Sequence, residues 1–405
     1  MKRVLSFLMV AVCCCIGTVA QSSAAEAAGA ILPGARPTID ASRYPSIQAA
    51  FDAVPAEGGL VRLPAGTFEI AEPLFLRAQD VCVEGAGTAT HIKNVNEEGE
   101  SALVLVHPDG AEGRKNELWR VRLANFRITG NEKSGHGIDA RGINEIFIDG
   151  ITVSYHGGDG IRLDHCYEDP RICDSLITYN KQTGVNLIGC HDIVVSSNQF
   201  EENMDALHCF DGYNLCMTGN NLDDHLGHGV VIENTYGSVV SGNMIEECNG
   251  TAIVLDRDCY GITLSANVIA HDGGGIDLRD AHGCAVSANT FTLMKTDALR
   301  IGAASGRIAV CGNSFCDSYI GEGAVKRRHD DIQAAGVVLS GTTDIGMSGN
   351  VFSSVRPKAV AVEGDAPVRR VLFSNNVLTD VVSDHAKLKD AEGSVVSDNL
   401  SEASP

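Results

Sequence analysis

The sequence predicts an all-β fold, a parallel β-helix of about a dozen coils, and three observations predict it. The first is a recurring small residue followed by Asn: Ser197-Asn198, Gly219-Asn220, Gly242-Asn243, Ala266-Asn267, Ala288-Asn289, Gly312-Asn313, Gly349-Asn350 and Asn375-Asn376. The steps between these Asn residues are 22, 23, 24, 22, 24, 37 and 26. The second is an independent register between them, Gly or Ala followed by apolar, variable, apolar, as in Gly160-Ile161-Arg162-Leu163, Gly184-Val185-Asn186-Leu187 and Gly229-Val230-Val231-Ile232. The third is composition: 44 Gly against one Trp suits many tight turns between short strands, not a helical bundle.

Two registers sharing one period near 23 make each repeat one coil. A lone coil cannot bury its apolar row, whereas coils stacked about 4.8 Å apart turn each apolar position into a continuous ladder. The Asn column then has a role: Asn tolerates the left-handed conformation of a tight turn, and its amide reaches the Asn of the next coil. A leucine-rich solenoid has a similar period, but it needs a Leu consensus and a helix per repeat, which this chain lacks.

Lys2 and Arg3, the apolar run Leu5 to Ala20 and the small residues Ser22 to Ala25 read as a signal peptide over residues 1–25, with a membrane anchor as the alternative. Residues 26–58 form an N-terminal segment with a capping helix from Pro45 to Val54, in which Ile47, Ala50, Phe51 and Val54 share one face. Such a cap shields an open solenoid end from pairing with other chains. The β-helix runs over 59–400, irregular at first and in register from about residue 120, with a last coil near Val395 to Leu400 and a tail over 401–405. The long step between Asn313 and Asn350 adds about 14 residues, including Lys326-Arg327-Arg328-His329-Asp330-Asp331. It reads as a surface loop, with a basic flap over the groove as the functional alternative.

A net charge of −21 argues against nucleic acid, whose phosphates need a basic surface. Eleven Cys remain after the three in the signal segment, without a CxxC pair, so zinc is not indicated. Cys166 and Cys190 each fall six residues after a register Gly, so they sit on adjacent coils, as stacked thiols or as a disulfide. No cofactor is implied and no metal ligand is assigned. Calcium is the one ion left open, and Asp205, His208, His225 and His228 form the alternative metal set.

Here the match to a known superfamily is plain. Ser46 to Phe68, a helix followed by Gly58-Gly59-Leu60-Val61-Arg62-Leu63-Pro64-Ala65-Gly66-Thr67-Phe68, resembles the N-terminus of the pectate-lyase superfamily. The stretch from about 120 to 380 resembles the repeats of pectin and alginate enzymes, mannuronan epimerases and periplasmic carbohydrate-binding proteins. The resemblance implies an all-β, single-stranded right-handed parallel β-helix with an N-terminal capping helix, and a carbohydrate-active protein. It does not select a reaction, since one fold hosts many. Asp205, with Gly227-His228-Gly229 one coil on, is similar to polygalacturonase-type hydrolases. The chain departs from them at Gln182-Thr183-Gly184 and Met204 and lacks their Arg-Ile-Lys element; it also lacks the Asp-Pro-His-Asp of epimerases.

The residue two after each register Gly faces outward, giving a column Asp139, Arg162, Asn186, His208, Val231, Val254, Asp277, Arg300. The corner before each strand reads His136, Asp159, Thr183, Asp205, His228, Thr251, Gly274, Asp297, and the strand ends include Arg141, Asp164, Phe210, Glu233, Asp256 and Arg279. A bland solenoid face carries Thr and Ser, so a cluster of acids and imidazoles points to chemistry. The predicted catalytic residues are Asp159, Asp205, His208 and His228. The predicted substrate-binding residues are Arg162, Asn186, Asp164, Glu233, Asp256 and Arg257. Arg162 and Asn186 would hold a uronate carboxylate, which acidifies the adjacent C–H for removal by a histidine. The sequence thus reads as a secreted or periplasmic lyase or C5-epimerase acting on a uronate-containing polysaccharide or oligosaccharide. It has no membrane span after signal removal, and its oligomeric state is open. The alternatives are an inverting glycosidase using Asp159 and Asp205 and a non-catalytic glycan-binding protein.

Overall fold

The computed structural model describes residues 32–112, 114–316 and 333–401. The predicted signal segment 1–25, the basic run Lys326–Asp331 and all of the predicted tail but Ser401 lie outside the described residues. Contacts divide the chain into Met1–Ala35 and Arg36–Pro405. Within the first unit Leu32 and Ala35 close a turn; the second holds the fold. No described helix is long and apolar enough to cross a membrane.

The second unit is a parallel solenoid of three sheets with 17, 14 and 12 strands. A regular coil contributes a short strand to each sheet; one reads Cys216–Thr218, Asn221–Asp223 and Val230–Glu233. Alternation places Val195, Met217, Val240 and Leu264 inside one wall and Phe200, Leu222, Ile245 and Ile269 inside the next, all buried. Phe291, Phe315 and Phe352 stack face to face with centroids 4.8 and 4.7 Å apart, which matches the rise of one coil.

The Asn column is a continuous ladder from Asn198 to Asn399. From Asn220 on, each side-chain carbonyl accepts both the backbone N–H and the amide N–H of the Asn one coil before, as Asn243 does from Asn220 at 3.0 and 2.9 Å. The ladder crosses the long step, where Asn313 bonds Asn350. One detail differs from expectation. The left-handed residue is the one before each Asn, including Ser197, Ala266 and Ala288 at φ +58°, +54° and +55°. The Asn itself turns inward, so the small residue absorbs the backbone strain while the Asn supplies the hydrogen bonds.

The predicted helix is present over Ile47–Asp52, with Ser46 accepting from the N–H of Ala49, and it buries Ile47, Ala50 and Phe51. Its Gln48 bonds both the N–H and the carbonyl of Phe75, the middle residue of the first strand of the 12-stranded sheet. Regular pairing starts earlier than expected: Thr38–Asp40, before the helix, pairs with Leu60–Arg62. A second helix, His385–Asp390, was not foreseen in the polar C-terminal stretch; it buries Leu388. The last coil, Val395–Ser397 and Leu400–Ser401, is where the sequence placed it. Cys166 and Cys190 are buried free thiols.

Candidate functional site

The 12-stranded sheet carries the predicted columns. Strand pairing puts Asp139, Arg162, Asn186, His208, Val231, Val254, Asp277 and Arg300 in one row. It also aligns Arg141, Asp164, Ile188, Phe210, Glu233 and Asp256 at the strand ends. Both rows face away from the apolar interior, because the residues between them (Leu163, Leu187, Cys209, Ile232) are buried.

At the upper end the charges neutralise one another. Asp139, 1% exposed, accepts from Arg141 and from Arg162 at 3.0 Å. Arg162 spends its other terminal nitrogen on Asp164 at 2.6 Å, and Asp164 also takes His165 at 2.5 Å. Arg162 is thus a rivet between two carboxylates rather than a free cation awaiting a substrate. Asp139-x-Arg141 and Arg162-x-Asp164 put opposite charges on one face of one strand, a signal available in the sequence.

The corner column has a structural task that its spacing did not reveal. Four side chains there accept the backbone N–H of the corner residue one coil on: His136 Nδ1 from Asp159, Asp159 Oδ1 from Thr183, Asp205 Oδ1 from His228, His228 Nδ1 from Thr251. Asp159 is 2% exposed and gives its second oxygen to Asn186 Nδ2 at 3.0 Å. Asp205 and His228 are neighbours as expected, but the contact runs from carboxylate to backbone, not to the imidazole. With Nδ1 of His228 accepting at 2.9 Å, the neutral ring carries its proton on Nε2. His228 therefore offers a donor, not a base. Asp297, at the same corner further down, is pushed up by burial, against the opposing pull of its bond to Arg300.

The centre differs. His208 Nε2 lies 2.9 Å from Glu233 Oε2, one coil apart. Glu233 Oε1 lies 3.1 Å from Arg257 Nε, and the Arg257 guanidinium sits over the Phe210 ring. Glu233 fixes the tautomer: a carboxylate accepts, so Nε2 carries the hydrogen and Nδ1 keeps its lone pair. Among the described residues Nδ1 of His208 and the terminal nitrogens of Arg257 have no hydrogen-bond partner. Asp256, the neighbour of Glu233 in its row, accepts the N–H of Arg257 and faces Arg279 at 3.8 Å. The predicted set thus separates. His208, Glu233, Asp256 and Arg257 come together; Arg162 and Asp164 lock one another, and Asp159 and Asn186 bond to each other.

Two cavities of about 470 and 480 Å³ lie at Arg36, Asp80, Arg120 and Phe147 and at Gln48, Phe75 and Arg77, and neither is lined by a predicted site residue. The site is an open face, suited to a long chain rather than an engulfed small molecule. Among the described residues the trios close enough to share a cation are Glu246, Glu247 and His271; Asp258, Asp280 and His282; and Asp223, Asp224 and Glu247, none of which includes His208 or Glu233.

A family model described as a right handed beta helix region matches residues 81–222 and 168–315. Among solved structures, tailspike protein 3 of bacteriophage CBA120 aligns with a TM-score of 0.60 at 14% identity, over 82% of this chain and 61% of its own. The A-module of a mannuronan C-5 epimerase of Azotobacter vinelandii aligns with a TM-score of 0.56 at 17% identity, over 83% of this chain and 100% of its own. The catalytic unit of an alpha-1,3-glucanase from Streptomyces thermodiastaticus gives 0.55 at 17%, over 93% and 67%. These likenesses are of fold. No curated protein sequence matches the chain.

Proposed function

The chain belongs to the right-handed β-helix family, and from that premise we propose an exported, polysaccharide-active enzyme that removes the C5 proton of a uronate, as a lyase or C5-epimerase. The observation that carries the reading is the His208–Glu233–Arg257 cluster on an open face. The unpaired terminal nitrogens of Arg257 suit a uronate carboxylate, and neutralising that carboxylate acidifies the adjacent C–H. Nδ1 of His208 then takes the proton while Glu233 steadies the resulting imidazolium. The Nε2–H of His228, one coil away, can donate a hydrogen bond to a leaving oxygen, while water supplies the proton that this oxygen, or C5 in epimerisation, takes up. The carboxylate-binding role expected of Arg162 passes to Arg257, because Arg162 is committed to Asp139 and Asp164.

Hydrolysis by Asp159 and Asp205 is less well supported. An acid–base pair needs carboxyl oxygens free to exchange protons with substrate and water. Here both residues hold backbone N–H groups, and both oxygens of Asp159 are bonded. Two of the fold neighbours act, by their descriptions, on glycans, an epimerase and a glucanase; this supports a polysaccharide partner without choosing a reaction. Export rests on the residue 1–25 segment.

The test is incubation of the purified chain with a panel of uronate polymers. Unsaturated chain ends, seen by ultraviolet absorbance, or a changed ratio of C5 epimers by NMR supports the reading. New reducing ends with neither change overturn it and return the site to hydrolysis.

A further inference from the structure

Around the corner from the candidate site runs a second row that the proposed chemistry does not use. Three residues past Phe210 comes Tyr213, three past Glu233 comes Tyr236, and four past Asp256 comes Tyr260. Backbone bridges put His191, Tyr213, Tyr236 and Tyr260 in register on consecutive coils. Tyr167 packs against His191 at 5.4 Å, His191 against Tyr213 at 4.3 Å and Tyr213 against Tyr236 at 4.6 Å, each ring edge-on to the next.

This row is not core. Tyr236 and Tyr260 are each 52% exposed. Among the described residues none of the hydroxyls of Tyr213, Tyr236 and Tyr260 has a hydrogen-bond partner, which leaves them to solvent or to a ligand. Polar pairs flank the row: Asn214 Nδ2 donates to Asp192 at 2.8 Å, and Asn234 Nδ2 donates to Asp211. A strip of aromatic rings that alternate in orientation, edged by amides and carboxylates and bounded by the Arg307 guanidinium over Tyr260, matches one ligand chemistry, a pyranose ring, with an apolar C–H face and a rim of hydroxyls. The row climbs about 4.8 Å per coil, close to the length of one hexose unit, so a linear chain lying along the solenoid would set successive sugar units beside successive aromatics.

We infer that Tyr213, Tyr236 and Tyr260 form a glycan-binding platform that holds the polymer beside the His208–Glu233–Arg257 cluster. This deepens the proposed function and rests on its reading of the partner as a glycan. The shared chemistry is the pyranose C–H face, which neutral and uronate polymers both present.

The test is affinity electrophoresis of the full chain through gels containing either a neutral glucan or a uronate polymer. The expected result is retention of the wild type in at least one gel. Tyr236→Ala/Tyr260→Ala should then raise the dissociation constant roughly tenfold or more, as loss of aromatic anchors does, and Tyr236→Phe should retain most of the binding. If the double variant unfolds, the same polymer should slow nitration of Tyr213, Tyr236 and Tyr260 in the wild type, read by mass spectrometry. Unchanged retention in a folded double variant, or nitration indifferent to the polymer, overturns the platform. The outcomes separate the two claims. If retention is unchanged but uronate turnover persists, the platform falls and the chemistry stands; if the tyrosine variants lose retention but no uronate is turned over, the platform stands and the chemistry falls.

Discussion

Two buried polar ladders climb the same solenoid, and they differ in what they ask of their residues. The first, from Asn198 to Asn399, repeats one amide at every coil, and none of its side-chain atoms is left without a partner. The second occupies the corner before the 12-stranded sheet, beside the candidate site, and reads His156, Asn180, Asn203, His225, Cys248, Asp272. Where Asn meets Asn in this second ladder, the same amide bond forms, with Asn180 donating to Asn203 at 2.8 Å. Elsewhere it breaks down. Among the described residues, both ring nitrogens of His156, Nε2 of His225 and Oδ2 of Asp272 are buried without partners. The first ladder is therefore indifferent to pH, while the second has titratable groups held in their neutral forms.

Burial sets the direction of each. Desolvation pushes Asp272 up to about 8, although its bond from the Cys248 N–H pulls the other way. Desolvation lowers His156 to about 3 and His225 to about 4. A raised carboxyl contributes stability below its unfolded value and loses it as pH rises through the folded one. The lowered histidines contribute stability above their unfolded value, which is lost as pH falls through about 4 and about 3.

The comparison can be broken or sharpened in order of effect. Asn243→Ala should cost the most, roughly 3–5 kcal/mol in urea unfolding, because it strands Asn220 and removes donors to Met217 and Asn267 inside the core. A loss below 1 kcal/mol would mean that the ladder is ornamental. Next, Asp272→Asn should stabilise by a few kcal/mol at a pH near 8, with little change near pH 4, since an amide keeps the acceptor for Cys248 without an ionisable oxygen. The wild-type unfolding midpoint should peak near the ordinary histidine value, about pH 6.5, and fall on both sides. A profile that is flat across that range would contradict the neutral-ladder account. The smallest effect is expected at the turns of the first ladder. Ala266 and Ala288 hold positive φ with a Cβ, and Ala266→Gly should gain up to about 1 kcal/mol, whereas Ala266→Val should lose more than that.

The same contrast explains what the sequence disclosed. The first ladder was legible because stacking amides demand the same residue in every coil, so its period survives in the letters. The outward row from Asp139 to Arg300 was legible because alternation fixes which residues share a face. The second ladder was not, since His, Asn, Cys and Asp succeed one another at a common position without repeating. Nor could the row say which groups were already engaged: Arg162 looked free until Asp139 and Asp164 were seen to hold it, and His228 looked like a base until its Nδ1 was seen to accept from Thr251. The pairing of Glu233 with His208 lay in reach, because the two sit on adjacent coils in neighbouring outward positions.

The central claim is that His208, oriented by Glu233, takes a proton from carbon. It is tested most directly by following the release of tritium into water from a uronate polymer labelled at C5, a readout common to elimination and epimerisation, with wild type and His208→Ala side by side. The account predicts release with the wild type, and background levels with a variant that remains folded and still binds the polymer. Equal release by the two proteins would contradict it.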